Sequence, residues 1–427
     1  MYVGRVPSQN DLCALFTVRA AHLYLRSGGR LAFVLPMAAL TRGQFERLRT
    51  GSFRSVKMAW DEAWTMDDSV QPLFPVPSCA VFGRKRATSR PIPETVRAYS
   101  GFLPLRDAPE SIADTRLKVT EGAPALEAAQ HEGGSSYRAA FRNGATLFPR
   151  MLIFVERRQM GRLGANPSAP LVVSRRTSQE KRPWKDLPGI ENPVEAEFLR
   201  PVLLGESILP FRVFHPFEAV VPITDQGEVL DATAAANRGY NGLFGWMRKA
   251  EAIWDANKRS EKMKLAQLFD YFGQLSAQFP IVPLRVAYTK AGSQPAACIL
   301  RDRNSVVENL LYWMAPAGED EAHYLIAILN SETARARAEH YQARGQWGAR
   351  HFDKVMFNLP IPRFDGAKQL HLDLAAAAAQ AEEAAALVEL PEGVKFQRAR
   401  GLIRAALAET GIAQTIDGLV ARLLDRT

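Results

Sequence analysis

Residues 11–50, DLCALFTVRAAHLYLRSGGRLAFVLPMAALTRGQFERLRT, decide the fold. Leu12, Leu15, Phe16, Ala20, Leu23 and Tyr24 fall near helical spacing, so residues 11–26 read as a helix. Ser27-Gly28-Gly29 ends it, because glycine enters the left-handed conformation of a helix C-cap without steric cost. Leu31-Ala32-Phe33-Val34-Leu35 is a continuous apolar run, the pattern of a strand buried on both faces. Pro36 stops it, and a second helix is expected to about Arg49. Helix, strand and helix in this order belong to the middle of an α/β sheet. Yet only ten residues precede residue 11, and no glycine-rich cofactor loop lies among them. The expectation is a partial Rossmann-like sheet, completed by another polypeptide or belonging to the back end of a larger enzyme.

Working outward, Phe53–Trp60 and Ser78–Phe82 read as further strands, with Pro72, Pro75 and Pro77 in the loop between them. Residues 1–85 are thus expected to hold three strands and two helices of a parallel sheet, which needs helices on both faces and cover on its edges. Residues 86–140 give few strong signals and read as a linker region. A second, mixed α+β unit is expected over 141–365. Its strands are read at 151–155, 171–174, 219–223, 281–288 and 296–300, with helices at 243–277 and 324–341 and an extended exit at Leu359-Pro360-Ile361-Pro362. A helical tail, 366–427, closes the chain. Its alanine run at 375–379 has high helix propensity, and Gly411 divides two amphipathic stretches.

With 427 residues the chain has length for two or three cores. Its 54 basic and 45 acidic residues leave a net charge of +9, which suits a polyanionic partner and equally an ordinary soluble surface. Cys13, Cys79 and Cys298 are too few and too scattered for a disulfide framework or a zinc site, and they fit a reducing cytoplasm. No apolar run approaches the roughly 20 residues of a spanning helix, so no membrane partner is expected. His22 within an apolar helix and His215 beside Pro216 read as structural. Asp61-Glu62 and Asp67-Asp68 suit loop solvation at least as well as acid–base work.

Three separated stretches resemble one family, the amino-methyltransferases that modify adenine N6 in DNA, in its gamma-type order. Leu15–Leu48, centred on GGRLAFVLP, is similar to the helix–strand–helix that follows the catalytic Asn/Asp-Pro-Pro-Tyr/Phe tetrapeptide. Leu73-Phe74-Pro75-Val76-Pro77-Ser78-Cys79-Ala80-Val81-Phe82 resembles the loop and strand whose aromatic residue stacks on the extruded adenine. Ala327-Ile328-Leu329-Asn330-Ser331, Gly345–Lys354 and Leu359-Pro360-Ile361-Pro362 resemble the closing part of the target-recognition domain. GATLFPR at 144–150 resembles its opening. The matches run in the family's order across most of residues 11–365.

Two of the family's motifs are missing from the sequence. Neither the S-adenosylmethionine loop nor the tetrapeptide occurs, and Asn192-Pro193 continues with Val194. The resemblance is therefore to the C-terminal half of such an enzyme, from a restriction-modification or phage-defence system. It implies duplex DNA as a partner. It also implies a missing N-terminal methyltransferase half, or a separate catalytic subunit, that binds S-adenosylmethionine in the intact enzyme. No catalytic residue can be assigned to this chain. A stand-alone DNA-binding specificity subunit that docks a catalytic chain is the alternative, and a basic α/β protein that does not bind DNA is a third reading.

Within that resemblance Phe74 takes the place of the stacking residue, in a proline-stiffened loop. Such a contact is worth ~1–3 kcal/mol by analogy with other base–aromatic stacks; the competing reading packs Phe74 under its own loop. A basic stretch, Arg157, Arg158, Arg162, Arg175, Arg176, Lys181, Arg182, Trp184 and Lys185, suits phosphate contacts or guanine reading, or else a solvated loop. Arg344, Gln346, Trp347, Arg350, His351 and Lys354 mix donors with an aromatic ring. Gln346 there is suited to an adenine edge, with structural packing as the equal alternative. Lys258–Lys264 reads as a solvated helix face.

Overall fold

The structure, a computed structural model, describes residues 12–425 except 42–44, 54–55, 72, 74–76, 123–133, 159–165, 178–179, 259–262, 293, 340–343, 346–347, 350–351 and 353. It divides the chain into two units, Met1–Ser135 with Ala336–Pro360, and Ser136–Arg335 with Ile361–Thr427.

The first unit opens with α1 (Leu12–Leu23) and β1 (Arg30–Pro36), joined through Gly28 in the left-handed conformation at φ +79°. The expected helix and strand are there, but their faces differ from the expectation. α1 buries its small side, Ala14, Thr17, Val18 and Ala21. Leu12 (55% exposed), Phe16 (58%) and Tyr24 (80%) are left open, and Leu23 with them. β1 is not buried on both faces either: Leu31 and Leu35 are inside, while Ala32 and Val34 (55%) are exposed.

α2 (Ala38–Thr41) and α3 (Glu46–Thr50) cross over to β2 (Lys57–Gln71), and a short loop returns the chain to β3 (Ser78–Arg86). β3 runs antiparallel to both β1 and β2 and lies between them. The purely parallel sheet expected over 1–85 is thereby corrected. A loop of hairpin length cannot make the crossover that two parallel neighbours require, whereas the helical segment after β1 can, so β1 and β2 point the same way. Trp60 fills the centre of this core, and its indole N–H donates to the Leu48 carbonyl at 2.9 Å. Gly83 faces it across the ladder; a Cβ there would stand 2.7 Å from the Trp60 ring.

Residues 96–122, weak in sequence, extend the same sheet. β4 (Val96–Phe102) pairs parallel with β2, and β5 (Leu117–Gly122), reached through α4 (Glu110–Arg116), pairs antiparallel with β4. The order is β1-β3-β2-β4-β5, so β1 and β5 are the edges. Asp61 and Glu62 lie inside β2 rather than in the solvated loop expected for them: Asp61, at a register shift, pairs with Arg84 and Arg90, and Glu62 pairs with Arg97.

The second unit begins with α5 (Tyr137–Ala140) and β6 (Arg142–Asn143), followed by β7 (Val155–Arg157), β8 (Leu171–Ser174) and β9 (Glu191–Pro193). β10 (Leu199–Leu203), β11 (Ile208–Leu209), β12 (Arg212–Val213) and β13 (Phe217–Val220) come next. After helix α6 (Ala232–Asn237), two helices, α7 (Asn241–Asn257) and α8 (Leu265–Phe269), replace the single long helix expected over 243–277. β14 (Arg285–Thr289), β15 (Ala297–Leu300), β16 (Val306–Val307) and β17 (Leu311–Met314) complete the strands. One antiparallel sheet has the order β15-β14-β17-β6 and is covered by the buried face of α9 (Glu319–Asn330). Further small sheets order as β13-β10-β16 and β7-β8-β9. Trp246 of α7 anchors the neighbouring core, donating to the Leu152 carbonyl at 2.9 Å.

After α10 (Glu332–Ala338), the tail forms α11 (Gln369–Leu387), α12 (Phe396–Glu409) and α13 (Ile412–Leu424). The break falls at Gly411, φ +76°, where the sequence places it. α11 packs on α9, and Arg400 of α12 donates to the carbonyls of Ile208 at 3.0 Å and Gly205 at 2.5 Å. Burial pulls the Arg400 guanidinium down to about 10, with the neighbouring Arg404 cation acting in the same direction. Among the described residues no helix is long and apolar enough to cross a membrane. The three cysteines are free thiols.

Candidate nucleic-acid interface

The basic stretch is carried by the small antiparallel sheet β7-β8-β9 of the second unit and the loop between β8 and β9. Val155 and Val172 are buried, while Glu156, Arg157 and Arg158 at the end of β7 are exposed. A buried base holds the loop. Glu180 accepts from the Met151 amide at 2.9 Å, and Arg150, 4% exposed, donates to Thr177 Oγ1 at 3.2 Å and faces Glu308 at 3.6 Å. Burial raises the carboxyls of both Glu180 and Glu308 above the ordinary range.

The arginines are not bare. Arg157 forks onto Glu218 of β13, its Nε 3.0 Å from both carboxylate oxygens, and this hydrogen bonding raises its guanidinium above its ordinary value. Arg158 pairs with Glu191 of β9. Arg175 Nε lies 3.2 Å from Glu156, and its guanidinium covers the Phe217 ring at 4.4 Å. Arg176 donates to the carbonyls of Lys185 and Leu187, and Arg182 pairs with Asp186 at 2.9 Å. Lys181 and Lys185 are exposed with no side-chain partner among the described residues. Trp184 is 6% exposed and stacks on Trp254 with centroids 5.5 Å apart and planes 13° from parallel. It therefore acts as a core residue of this unit.

Sequence reasoning found this cluster but missed its acidic complement, because Glu218 and Glu191 lie 61 and 33 residues along the chain from their partners. It also missed Lys249 of α7, whose ammonium donates to the Glu191 carbonyl and to Asn192 Oδ1 at 2.7 and 2.9 Å. That contact explains Asn192 as a structural residue. Exposed ion pairs contribute only about 0–1 kcal/mol each, so a phosphate can displace the carboxylate while the fork is already held in place.

The other expected contact residues are only partly covered. Phe74, Arg162, Gln346, Trp347, Arg350 and His351 lie outside the described residues. Arg344 and Gly345 pair with Gly348 and Ala349 in a short antiparallel ladder of the first unit. Lys354 is half-buried at the start of the 3-10 turn Val355–Asn358. The Arg157–Lys185 and Arg344–Lys354 stretches thus belong to different units.

Gly28 and Gly29 exchange backbone hydrogen bonds with Lys85, so they close the β1–β3 pairing instead of cradling a ligand.

No family model and no curated protein matches the chain. Solved structures that resemble it include two restriction-modification enzymes. One is the Type IIL restriction-modification enzyme MmeI in complex with DNA, with a TM-score of 0.55 and 13% identity, covering 99% of this chain and 51% of that one. The other is the type IIG restriction endonuclease BpuSI, at a TM-score of 0.27 and 14% identity, covering 97% of this chain and 49% of that one, a likeness too slight to carry an argument. The chain spans about half the length of each. It shares with the first the fold of a mixed α/β restriction-modification enzyme.

Proposed function

We propose that this chain is the DNA-recognition and base-positioning portion of an S-adenosylmethionine-dependent, site-specific DNA adenine-N6 methyltransferase of a restriction-modification or phage-defence system. It works in the cytoplasm with a catalytic half supplied by a preceding segment or a separate subunit. The observation that carries this reading is the inverted burial of α1 together with the open edge of β1. A helix that buries alanines and exposes leucine, phenylalanine and tyrosine has its larger apolar face reserved for something else. Beside it, edge strand β1 shows Val34 to solvent and, among the described residues, has no strand paired on its outer side, where a sheet can grow. A Rossmann-like methyltransferase sheet continued past β1 would cover both.

In this reading the cations of β7–β9 and Lys181 and Lys185 hold the phosphate backbone and set the register of the protein on DNA. Phe74 is assigned to the extruded adenine. Cofactor binding and methyl transfer are assigned to the catalytic half, since neither the glycine-rich loop nor the tetrapeptide occurs in this sequence. The test is transfer of labelled methyl groups from S-adenosylmethionine to DNA. No transfer is expected from this chain alone, and transfer is expected once a polypeptide with the glycine-rich loop and the Asn-Pro-Pro-Tyr type tetrapeptide is added. Robust methylation by the chain alone would sink the proposal.

A separate specificity subunit that docks a catalytic chain is the second reading, favoured by the same open edge. It predicts that two folded polypeptides associate from separate expression.

A further inference from the structure

A concavity of about 510 Å³ lies within the second unit, between the loop that follows β12 and the N-terminal turn of α12. Phe214, Phe217 and Phe396 supply aromatic wall, and Arg175, Glu206 and Lys395 supply charge. This volume falls in the range of small-ligand sites, roughly 300–1,000 Å³.

Three observations mark it as a built site rather than a surface dent. First, its rim residue His215 holds φ +37°, a conformation rare outside glycine, and the neighbouring backbone fixes it there. The Phe214 amide donates to the Ser207 carbonyl at 2.8 Å, and Ser207 Oγ donates to the His215 carbonyl at 3.3 Å. Second, the floor is braced by Arg400, whose guanidinium covers the Phe396 ring at 4.9 Å while holding the carbonyls on either side of Glu206. Third, Glu206 and Lys395 have no side-chain partner among the described residues, although the other charged lining residue, Arg175, is paired and stacked. An unmatched acceptor and an unmatched cation beside aromatic faces are what a nucleotide needs. The faces stack on a base, the carboxylate accepts from an exocyclic amino group, and the ammonium meets a phosphate.

We propose that this concavity binds one unstacked nucleotide whose base carries an exocyclic amino group, with Glu206 as the acceptor that selects the base and Lys395 as the phosphate contact. It lies on the same side chain, Arg175, as the phosphate-binding cluster. Under the DNA-recognition reading, on which the source of the nucleotide rests, its occupant is a base drawn out of the strand being read.

The experiment uses the full chain and fluorescence anisotropy with labelled deoxycytidine and deoxythymidine homopolymers, unlabelled dCMP as competitor, and a random-sequence duplex. Deoxycytidine presents the amino group and deoxythymidine presents a carbonyl, so the native chain is expected to favour deoxycytidine by about tenfold, the lower range of discrimination for a good base contact. Glu206→Gln is expected to erase that preference, because an amide both donates and accepts. Lys395→Ala is expected to weaken both polymers together and to reduce the salt dependence by about one phosphate. Competition by dCMP alone identifies a free nucleotide as sufficient; competition only by the polymer identifies a nucleotide within a strand.

An unchanged preference in Glu206→Gln, or no preference in the native chain, overturns the proposal. If the variants alter polymer binding while the native chain ignores duplex, the site stands and the duplex reading fails. If duplex binds and neither variant alters the polymers, the duplex reading stands and this site fails.

Discussion

Replacing Glu156, Glu191 and Glu218 together by glutamine should tighten DNA binding. Each of these carboxylates holds an arginine that a phosphate must win in order to bind. The arginine side chains are 37–59% exposed, so each pair is solvent-screened. Each pair is then worth about 0–1 kcal/mol, centred near ~0.5. Three such competitors removed give about 1.5 kcal/mol, close to a tenfold gain in affinity, with an upper bound of about 3 kcal/mol. The assay is anisotropy of a labelled duplex over a salt series, where the line of log affinity against log salt should rise while keeping its slope to within about one phosphate contact. A charge-matched control, with exposed Glu110, Glu383 and Glu409 changed to glutamine, separates local release from the general gain in positive charge. Unchanged affinity, weaker binding, or a gain equal to that of the control would refute the idea that these arginines are held ready for phosphate.

Trp184→Ala should cost about 3–5 kcal/mol of stability in denaturant unfolding, the usual loss for a large buried aromatic, while Trp184→Phe should retain DNA binding at full salt slope. Glu382→Gln tests the junction of α11 with α9. Burial opposes ionisation of Glu382, but hydrogen bonds from His323 and Arg301 outweigh it and hold the carboxyl down at about 2. The folded form therefore favours the carboxylate, and its stabilisation is present above the ordinary value of 4.5 and lost as pH falls toward 2. The variant should be less stable by on the order of 3 kcal/mol at neutral pH, with the gap closing through that acid window; a gap independent of pH would contradict the pairing. Phe16→Glu combined with Val34→Lys should leave thermal unfolding nearly unchanged, because both side chains already face solvent, yet abolish association with the catalytic half in sedimentation.

The order of elements was legible where local chemistry alone decides it. Gly28 and Gly411 mark their breaks, and the β8 residues Leu171–Ser174 read as a strand before any fold is known. Strand direction was not, because β3 owes its antiparallel setting to the shortness of a loop rather than to its own residues. Nor was the facing of α1, since an apolar residue at helical spacing is equally suited to a core and to a surface awaiting a partner. β5 escaped notice because its side chains are mostly exposed and an edge strand needs little hydrophobicity. At the interface, composition located the arginines but could not say that carboxylates from other strands already hold them.

The two hydrogen bonds from Arg400 join residues 192 and 195 positions apart. Under the DNA-recognition reading, the tail is consequently part of the reading apparatus and not an appendage to it. Exchanging residues 141–365 between related chains while leaving α12 behind would strip the Gly205 and Ile208 carbonyls of their donor and unseat the turn that carries Glu206. If the proposed reading holds, the smallest segment that can be transplanted with its specificity intact runs through α12, so the unit of inheritance for target choice would be longer than the domain that touches the target.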